Sequence, residues 1–229
     1  MALISKALTV GRAICSLVEH GFHGEPFGMS RTLIDIFLSV RYVSNRDTEA
    51  RAKTYVDYFA KTHEGWMKMI EKHFPHHKNL PMPAFHDRAM ETAKQFKGHE
   101  WTGLRGQTKI MAFEEDSYEI DAKGQPVKQE FDYDVPYWWT SQYVHATIAS
   151  LAEHEIEPGR VFRVRSQTRR DTERGYDALF NTAIFLHKIF ICAFRGMNSD
   201  LPEDLMIELG ELVRRFAAAK PRRRSSAES

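Results

Sequence analysis

The chain has 229 residues, of which 42% are hydrophobic and 28% charged, so it is long enough and apolar enough to bury one sizeable core. This composition excludes a chain that is disordered along its whole length. The net charge of +1 excludes a global field that would draw the whole protein to nucleic acid or membrane. The two cysteines, Cys15 and Cys192, fall in apolar helical patterns, where we expect them to be buried as small hydrophobes in a reducing compartment.

The N-terminus shows no secretory signal, because Lys6 and Arg12 interrupt its apolar pattern. No stretch reaches the roughly 18 uncharged apolar residues of a membrane span. The best candidate, 183–194, carries His187 and Lys188 in its middle. We therefore expect a cytoplasmic protein without a membrane partner.

Apolar residues recur along the chain at helical spacing. The predicted helices cover residues 2–20, 30–44, 48–73, 84–97, 107–119, 134–154, 169–194 and about 200–219. Ser30 and Asp47 are the expected N-caps of the second and third helices. The second helix is apolar nearly all round, which predicts that it forms the buried centre.

Between these helices the chain shows no repeat and no domain linker. Two irregular segments, 75–83 and 121–132, are short enough to be loops of one domain. Residues 161–165 alternate and are compatible with one short β excursion. The sequence thus predicts an all-α, single-domain bundle of seven or eight helices over 1–219, followed by a disordered, basic and serine-rich tail at 220–229.

A polar row lies on the helix that Asp134 is expected to cap, with Pro136 in its first turn. Tyr137, Ser141 and His145 follow at intervals of four and share one face. A serine and a histidine at this spacing can share a hydrogen bond, but the sequence assigns no oxyanion donor and no orienting acid. A structural interpretation, in which these polar side chains form hydrogen bonds with their neighbours, is favoured over a catalytic one by roughly three to one.

A charged pair lies on the apolar second helix. Arg31 and Asp35 are one turn apart and can form an ion pair. Charges on so apolar a helix are costly unless they are paired or border a pocket. A structural ion pair is at least as well supported as a functional site. The candidate site residues are His145, Ser141, Arg31 and Asp35.

Histidine is frequent, with eleven residues. His73, His76 and His77 form the densest run, and His86 is nearby. Neither CxxC nor HExxH occurs, so we give metal binding about one chance in ten and predict no metal site. GxxxxGK[ST], GxGxxG and GxSxG are absent as well, and no cofactor is expected.

Arginines are concentrated before and within the start of the long helix. They are Arg160, Arg163, Arg165, Arg169, Arg170 and Arg174. The first five are the candidates for contact with RNA or another phosphate ligand. The near-neutral chain and the lack of interleaved aromatic residues favour a solvated surface instead.

Three short motifs occur in a distinctive order: Arg31-x3-Asp35, a Trp-Thr-Gly loop at Trp101, and Ser141-x3-His145. This order resembles a broad bacterial family of all-helical proteins known only as a domain of unknown function, over about residues 5–190. At the position of Asp35 the family more often has Glu. The side chain of Asp35 is shorter, so a contact that needs the longer side chain would be altered. The resemblance implies an all-helical fold and a site where these residues converge, but no reaction.

Three functions remain open. The favoured one is a non-enzymatic helical module that binds a partner or itself, as a homodimer. The second is a metal-independent HEPN-like endoribonuclease or bacterial defence effector, whose signature is an Arg followed by a His after four to six residues. None of the eleven histidines has an arginine at that distance. The third is a small-molecule or nucleotide pocket around Arg31 and His145.

Overall fold

The computed structural model describes residues 1–74, 85–96, 130–144, 169–199 and 202–219. These residues are predominantly helical and contain no strand, which confirms the predicted all-α class. The predicted helix at 107–119, the short strand at 161–165 and the tail at 220–229 lie outside the described residues.

The helices follow one another as α1 (Ala2–Glu19), α2 (Gly24–Asn45), α3 (Thr48–Asp57), α4 (Phe59–His73), α5 (His86–Ala93), α6 (Glu130–Val144), α7 (Arg169–Gly196) and α8 (Glu203–Ala219). α1, α2 and α7 pack against one another and form the core. α6 lies against α2, and α8 lies against α7. α4 and α5 pack on each other as a helical hairpin that follows α3.

The predicted central role of the second helix is confirmed. α2 packs against α1, α3, α6 and α7, and it buries Leu33, Ile34 and Phe37. Phe37 meets Phe185 of α7, with ring centroids 5.8 Å apart. Full burial of such a side chain contributes about 1.5–3 kcal/mol, so this contact accounts for a substantial part of the core.

α2 begins earlier than predicted, at Gly24 instead of Ser30. Pro26 lies in its first turn, where a backbone N–H is not needed. Ser30 is therefore not an N-cap; it is buried inside the helix, and its Oγ donates to the carbonyl oxygen of Pro26 at 3.3 Å. Gly28 lies inside the helix, where its missing side chain allows close packing against Tyr143.

The predicted helix 48–73 is divided in two, because α3 ends at Asp57 and α4 begins at Phe59. Asp47 holds the N-cap position of α3, but it adopts a left-handed φ of 49° and its side chain makes no capping hydrogen bond within the described residues. Tyr58 stands at the division, and its ring packs edge to face on Phe96 at 5.2 Å. The division therefore coincides with a contact between segments distant in sequence.

α6 also begins earlier than predicted, at Glu130, so Asp134 is not its cap and Pro136 lies inside the helix. The Oγ1 of Thr140 donates to the carbonyl oxygens of Pro136 at 2.7 Å and Tyr137 at 3.2 Å. Back-bonding of this kind satisfies the buried hydroxyl of Thr140 within its own helix.

Cys192 is buried as predicted, but Cys15 is exposed. The buried residues of α1 include Val10 and Ile14, one turn apart, and Cys15 lies about 100° beyond Ile14 around the helix axis. Among the described residues, one helical stretch, Glu173–Gly196, is long and apolar enough to cross a membrane by length and composition. The core helix of a soluble protein meets the same test, so this is weak evidence.

Candidate functional site

The two helices that carry the candidate residues, α2 and α6, are in direct contact. Gly28 permits this approach, since a Cβ atom at that position would lie 3.3 Å from the Cβ atom of Tyr143 and 3.6 Å from the backbone nitrogen of Val144. Phe27 packs edge to face on Tyr143, with ring centroids 4.9 Å apart. This contact sets the position of α6 relative to the charged pair on α2.

Arg31 is held between α6 and its own helix. Its Nη2 donates to the Oη of Tyr137 at 2.5 Å, and its Cζ lies 4.4 Å from the centroid of the Tyr137 ring. Its Nε is 3.9 Å from Oδ2 of Asp35. The side chains of Arg31 and Asp35 are 22% and 55% exposed, so the pair borders solvent instead of being sealed in the core. An oriented guanidinium at a surface can receive a carboxylate or a phosphate.

Ser141 lies on the same face of α6, one turn after Tyr137. Its Oγ donates to the carbonyl oxygen of Tyr137 at 2.6 Å. This hydroxyl proton is committed to a backbone carbonyl of its own helix and is not directed at a base, which favours a structural role over nucleophilic attack.

Several residues singled out in the sequence are not among those whose side chains the structure describes. Those outside the described residues are His76, His77, Trp101, His145, Arg160, Arg163 and Arg165. Arg169 and Arg170 are described only as backbone positions at the start of α7.

A second arginine, Arg174 of α7, lies among aromatic rings of α2 and α6. The Cζ of Arg174, from α7, lies 5.2 Å from the ring centroid of Phe27, 5.3 Å from that of Trp139 and 5.6 Å from that of Tyr143. Its Nη1 is 3.5 Å from Oδ2 of Asp177. In sequence Arg174 was only one member of a basic run, because nothing local signals that aromatic rings from α2 and α6 surround it.

The start of α2 is packed onto α7 beneath this arginine. The buried Nδ1 of His23 has no hydrogen-bond partner among the described residues. A Cβ atom on Gly175 would lie only 2.2 Å from that nitrogen, so the absence of a side chain at Gly175 makes the contact possible. Burial, with a smaller effect of Asp177, raises the pKa of the neighbouring Tyr176 above its ordinary value, so ionisation of its hydroxyl is further disfavoured.

Between the two arginines, α6 exposes a pair of tryptophans. Trp138 and Trp139 are 54% and 39% exposed, and their rings meet edge to face at 4.9 Å. Successive helical residues are rotated by about 100°, so Arg31 and Arg174, which contact Tyr137 and Trp139, approach α6 from different sides with Trp138 between them. We call Arg31, Trp138, Trp139 and Arg174 the α6 surface.

The described residues contain no group of three or more His, Cys, Asp or Glu side chains that could hold a metal ion. The α6 surface itself presents indole rings, guanidinium groups and the carboxylates beside them. Such groups are suited to recognition by stacking and hydrogen bonding.

Fold and surface together define an all-helical protein whose central helix is flanked by an exposed tryptophan pair and two partly buried arginines. The chain belongs to the family of unknown function DUF5677, whose model matches residues 1–159. The resemblance seen in the sequence was placed at about residues 5–190. The matched range starts slightly earlier, at residue 1, and ends earlier, at residue 159. No curated protein and no solved structure matches the chain.

Proposed function

We propose that this protein is a self-associating helical module and that two copies meet through the α6 surface. The observation that carries the proposal is the exposed pair Trp138 and Trp139, which follows Tyr137 on α6, with Arg31 against Tyr137 and Arg174 against Trp139. Tryptophan, tyrosine and arginine are the residues most enriched among those that dominate binding energy at protein interfaces.

The two arginines are already ordered. Arg31 lies over Tyr137, and Arg174 lies among the rings around it. Because these side chains are fixed before association, less conformational entropy is lost on binding. The α6 surface is thus well suited to a stable interface.

The charges favour a second copy of the chain as the partner. A two-fold symmetric interface must be complementary to itself. Each arginine has a carboxylate close by, Asp35 next to Arg31 and Asp177 next to Arg174, so the surface offers both signs of charge. The net charge of +1 adds little repulsion between copies.

The test is sedimentation equilibrium of the full chain over a range of concentrations, with Trp138→Ala as the main variant. We expect a wild-type dimer whose Kd rises about 30-fold or more on this change, since a central interface tryptophan is worth about 2 kcal/mol or more. Trp66→Ala is the matched control, because Trp66 is 52% exposed but lies on α4. A wild-type chain that stays monomeric to about 100 µM, or a dimer weakened only by Trp66→Ala, contradicts the proposal.

We further propose a cytoplasmic location. Its support is the burial of Cys192 in the core as a small apolar side chain and the packing of α7 against both α1 and α2. Fractionation of cells that express the tagged chain tests it: recovery with the membrane pellet after a carbonate wash would contradict it.

The ribonuclease hypothesis depends on His145 acting with Arg31. We expect no general cleavage of RNA by the wild-type chain, and we expect both Arg31→Ala and His145→Ala to lower its stability. Cleavage that either substitution abolishes without a change in Tm would favour the enzyme instead.

A further inference from the structure

The α4–α5 hairpin contains a pair of histidines that the α6 surface does not involve. The Nε2 of His63, on α4, lies 3.0 Å from the Nδ1 of His86, at the start of α5. The ring centroids are 5.3 Å apart and the planes are inclined by 74°. Two nitrogens from different helices are thus directed at one another.

The surrounding rings hold His63 in place. His63 is only 5% exposed, and it packs edge to face on Phe85 at 5.2 Å and beside Trp66 at 6.1 Å. His86 is half-buried, so its side of the pair is open to water. One ring is therefore held by its neighbours, and the other is partly exposed to solvent.

We propose that His63 and His86 form a two-histidine site for a late first-row divalent cation such as Zn²⁺, Ni²⁺ or Cu²⁺. Two nitrogens bound to one tetrahedral ion at about 2.0–2.1 Å lie about 3.3 Å apart. The observed 3.0 Å therefore needs to open by only a few tenths of an ångström. Water completes the coordination on the side of His86.

Binding requires a local shift of hydrogen and a small turn of the rings, because the ion lies off the line that joins the two nitrogens. In the metal-free pair, one ring donates an N–H to the other. That hydrogen moves to the second nitrogen of its own ring, and both neutral imidazoles then direct lone pairs at the ion. No oxidation and no other reactant is involved.

The hairpin gives such an ion a structural purpose. The buried hydrophobic cluster between its helices consists of Ala60, Ala89 and Ala93, whose side chains contribute little apolar area. Small cores of this kind are commonly reinforced by a cross-link or a metal ion. An ion on His63 and His86 would tie α4 to α5 directly.

The test is calorimetric titration of the chelator-treated full chain with Zn²⁺, and the main variants are His63→Gln and His86→Gln. We expect one equivalent to bind, and each substitution to weaken binding by about tenfold or more. Cu²⁺ should bind more tightly than Zn²⁺, and Mg²⁺ should not compete, because the donors are nitrogens. Electron paramagnetic resonance of the Cu²⁺ form should show two nitrogen ligands.

His20→Gln and His73→Gln are the controls, because both histidines are exposed and neither is part of the His63–His86 pair. Should His63→Gln fail to fold, the half-buried His86→Gln still decides the matter. No binding by the wild type, or binding that survives both main substitutions and disappears with His73→Gln, overturns the proposal. Weak binding of several ions, lowered equally by any histidine substitution, means an adventitious ion only and overturns it as well.

Discussion

The core of α1, α2 and α7 and the α4–α5 hairpin are built on different principles. The core buries large side chains from three long helices, among them Phe37, Phe185 and Ile189. The hairpin buries mainly alanines, and several of its aromatic side chains remain exposed: Phe59, Trp66, Phe74 and Phe85. Because hydrophobic stabilisation follows the apolar area removed from water, the free energy of unfolding resides mostly in the core.

The sharpest way to break this comparison is to truncate one phenylalanine in each region. Phe37→Ala removes a buried ring and leaves a cavity, so we expect a loss of about 3–5 kcal/mol in the free energy of unfolding. Phe59→Ala removes a ring that is 61% exposed, and we expect a change of about 0.5 kcal/mol or less. Urea denaturation measures both. Equal losses would show that the hairpin is as tightly integrated as the core.

Replacing a glycine by alanine should lower the free energy of unfolding in the core and raise it in the hairpin. A Cβ atom on Gly196, at the end of α7, would lie 2.7 Å from the Cβ and 2.9 Å from the Cα of Ser44, so backbone must move. We expect Gly196→Ala to cost about 1–3 kcal/mol. Gly65 of α4 has no described atom within 4 Å of such a Cβ, so Gly65→Ala should stabilise by about 0.5–1 kcal/mol. Thermal unfolding checks both; stabilisation by Gly196→Ala would mean that α2 and α7 are less closely packed.

Native-state hydrogen exchange sharpens the comparison without any substitution. Backbone amides of α4 and α5 should open at a lower free energy than those of α2 and α7, and should exchange about tenfold faster or more. The measurement is mass spectrometry of the exchanging full chain. Uniform protection across both regions would mean that they unfold as one unit.

The smallest expected effect concerns acid stability of the hairpin. Hydrogen bonds from Lys61 and Lys68, each 2.6 Å long, lower the pKa of Glu64 from 4.5 to about 2. Because the unfolded carboxyl binds its proton first as the pH falls, the contribution of Glu64 is complete above about pH 4.5 and is lost as the pH approaches 2. Glu64→Gln should flatten the fall in stability over that window and leave the neutral range nearly unchanged. Acid titration followed by circular dichroism measures this, and an unaltered slope would show that the lysines do not hold Glu64 in solution.

The sequence predicts the core far better than the surface. Apolar spacing was enough to identify the central position of α2 and nearly the full extent of α7, because burial of a helix face depends on side-chain periodicity. The start of α2 was missed because Pro26 and Gly28 are typical of loops. Here the proline occupies a first turn and the glycine makes room for Tyr143, which is a tertiary demand.

The candidate site was predictable only in part. Spacing predicted the pair Arg31 and Asp35, and the structure adds Tyr137 as the ring that orients the arginine. The environment of Arg174 was not predictable, because it is made by rings from helices more than 100 residues apart in sequence. The histidine pair was overlooked for a similar reason: His63 lies outside the histidine-rich run, and only the packing of α4 on α5 brings it to His86.

The placement of α7 has a consequence for synthesis of the protein. α2 ends at Asn45 and α7, which covers it, begins at Arg169, so 123 residues separate them. At about 5–20 residues per second, the apolar face of α2 waits roughly 6–25 s on the ribosome for its partner. During that interval Phe37 and its neighbours are exposed to other nascent chains and to chaperones. The side of α2 that faces α7 therefore stays uncovered until α7 has been synthesised, and the three-helix core can close only then.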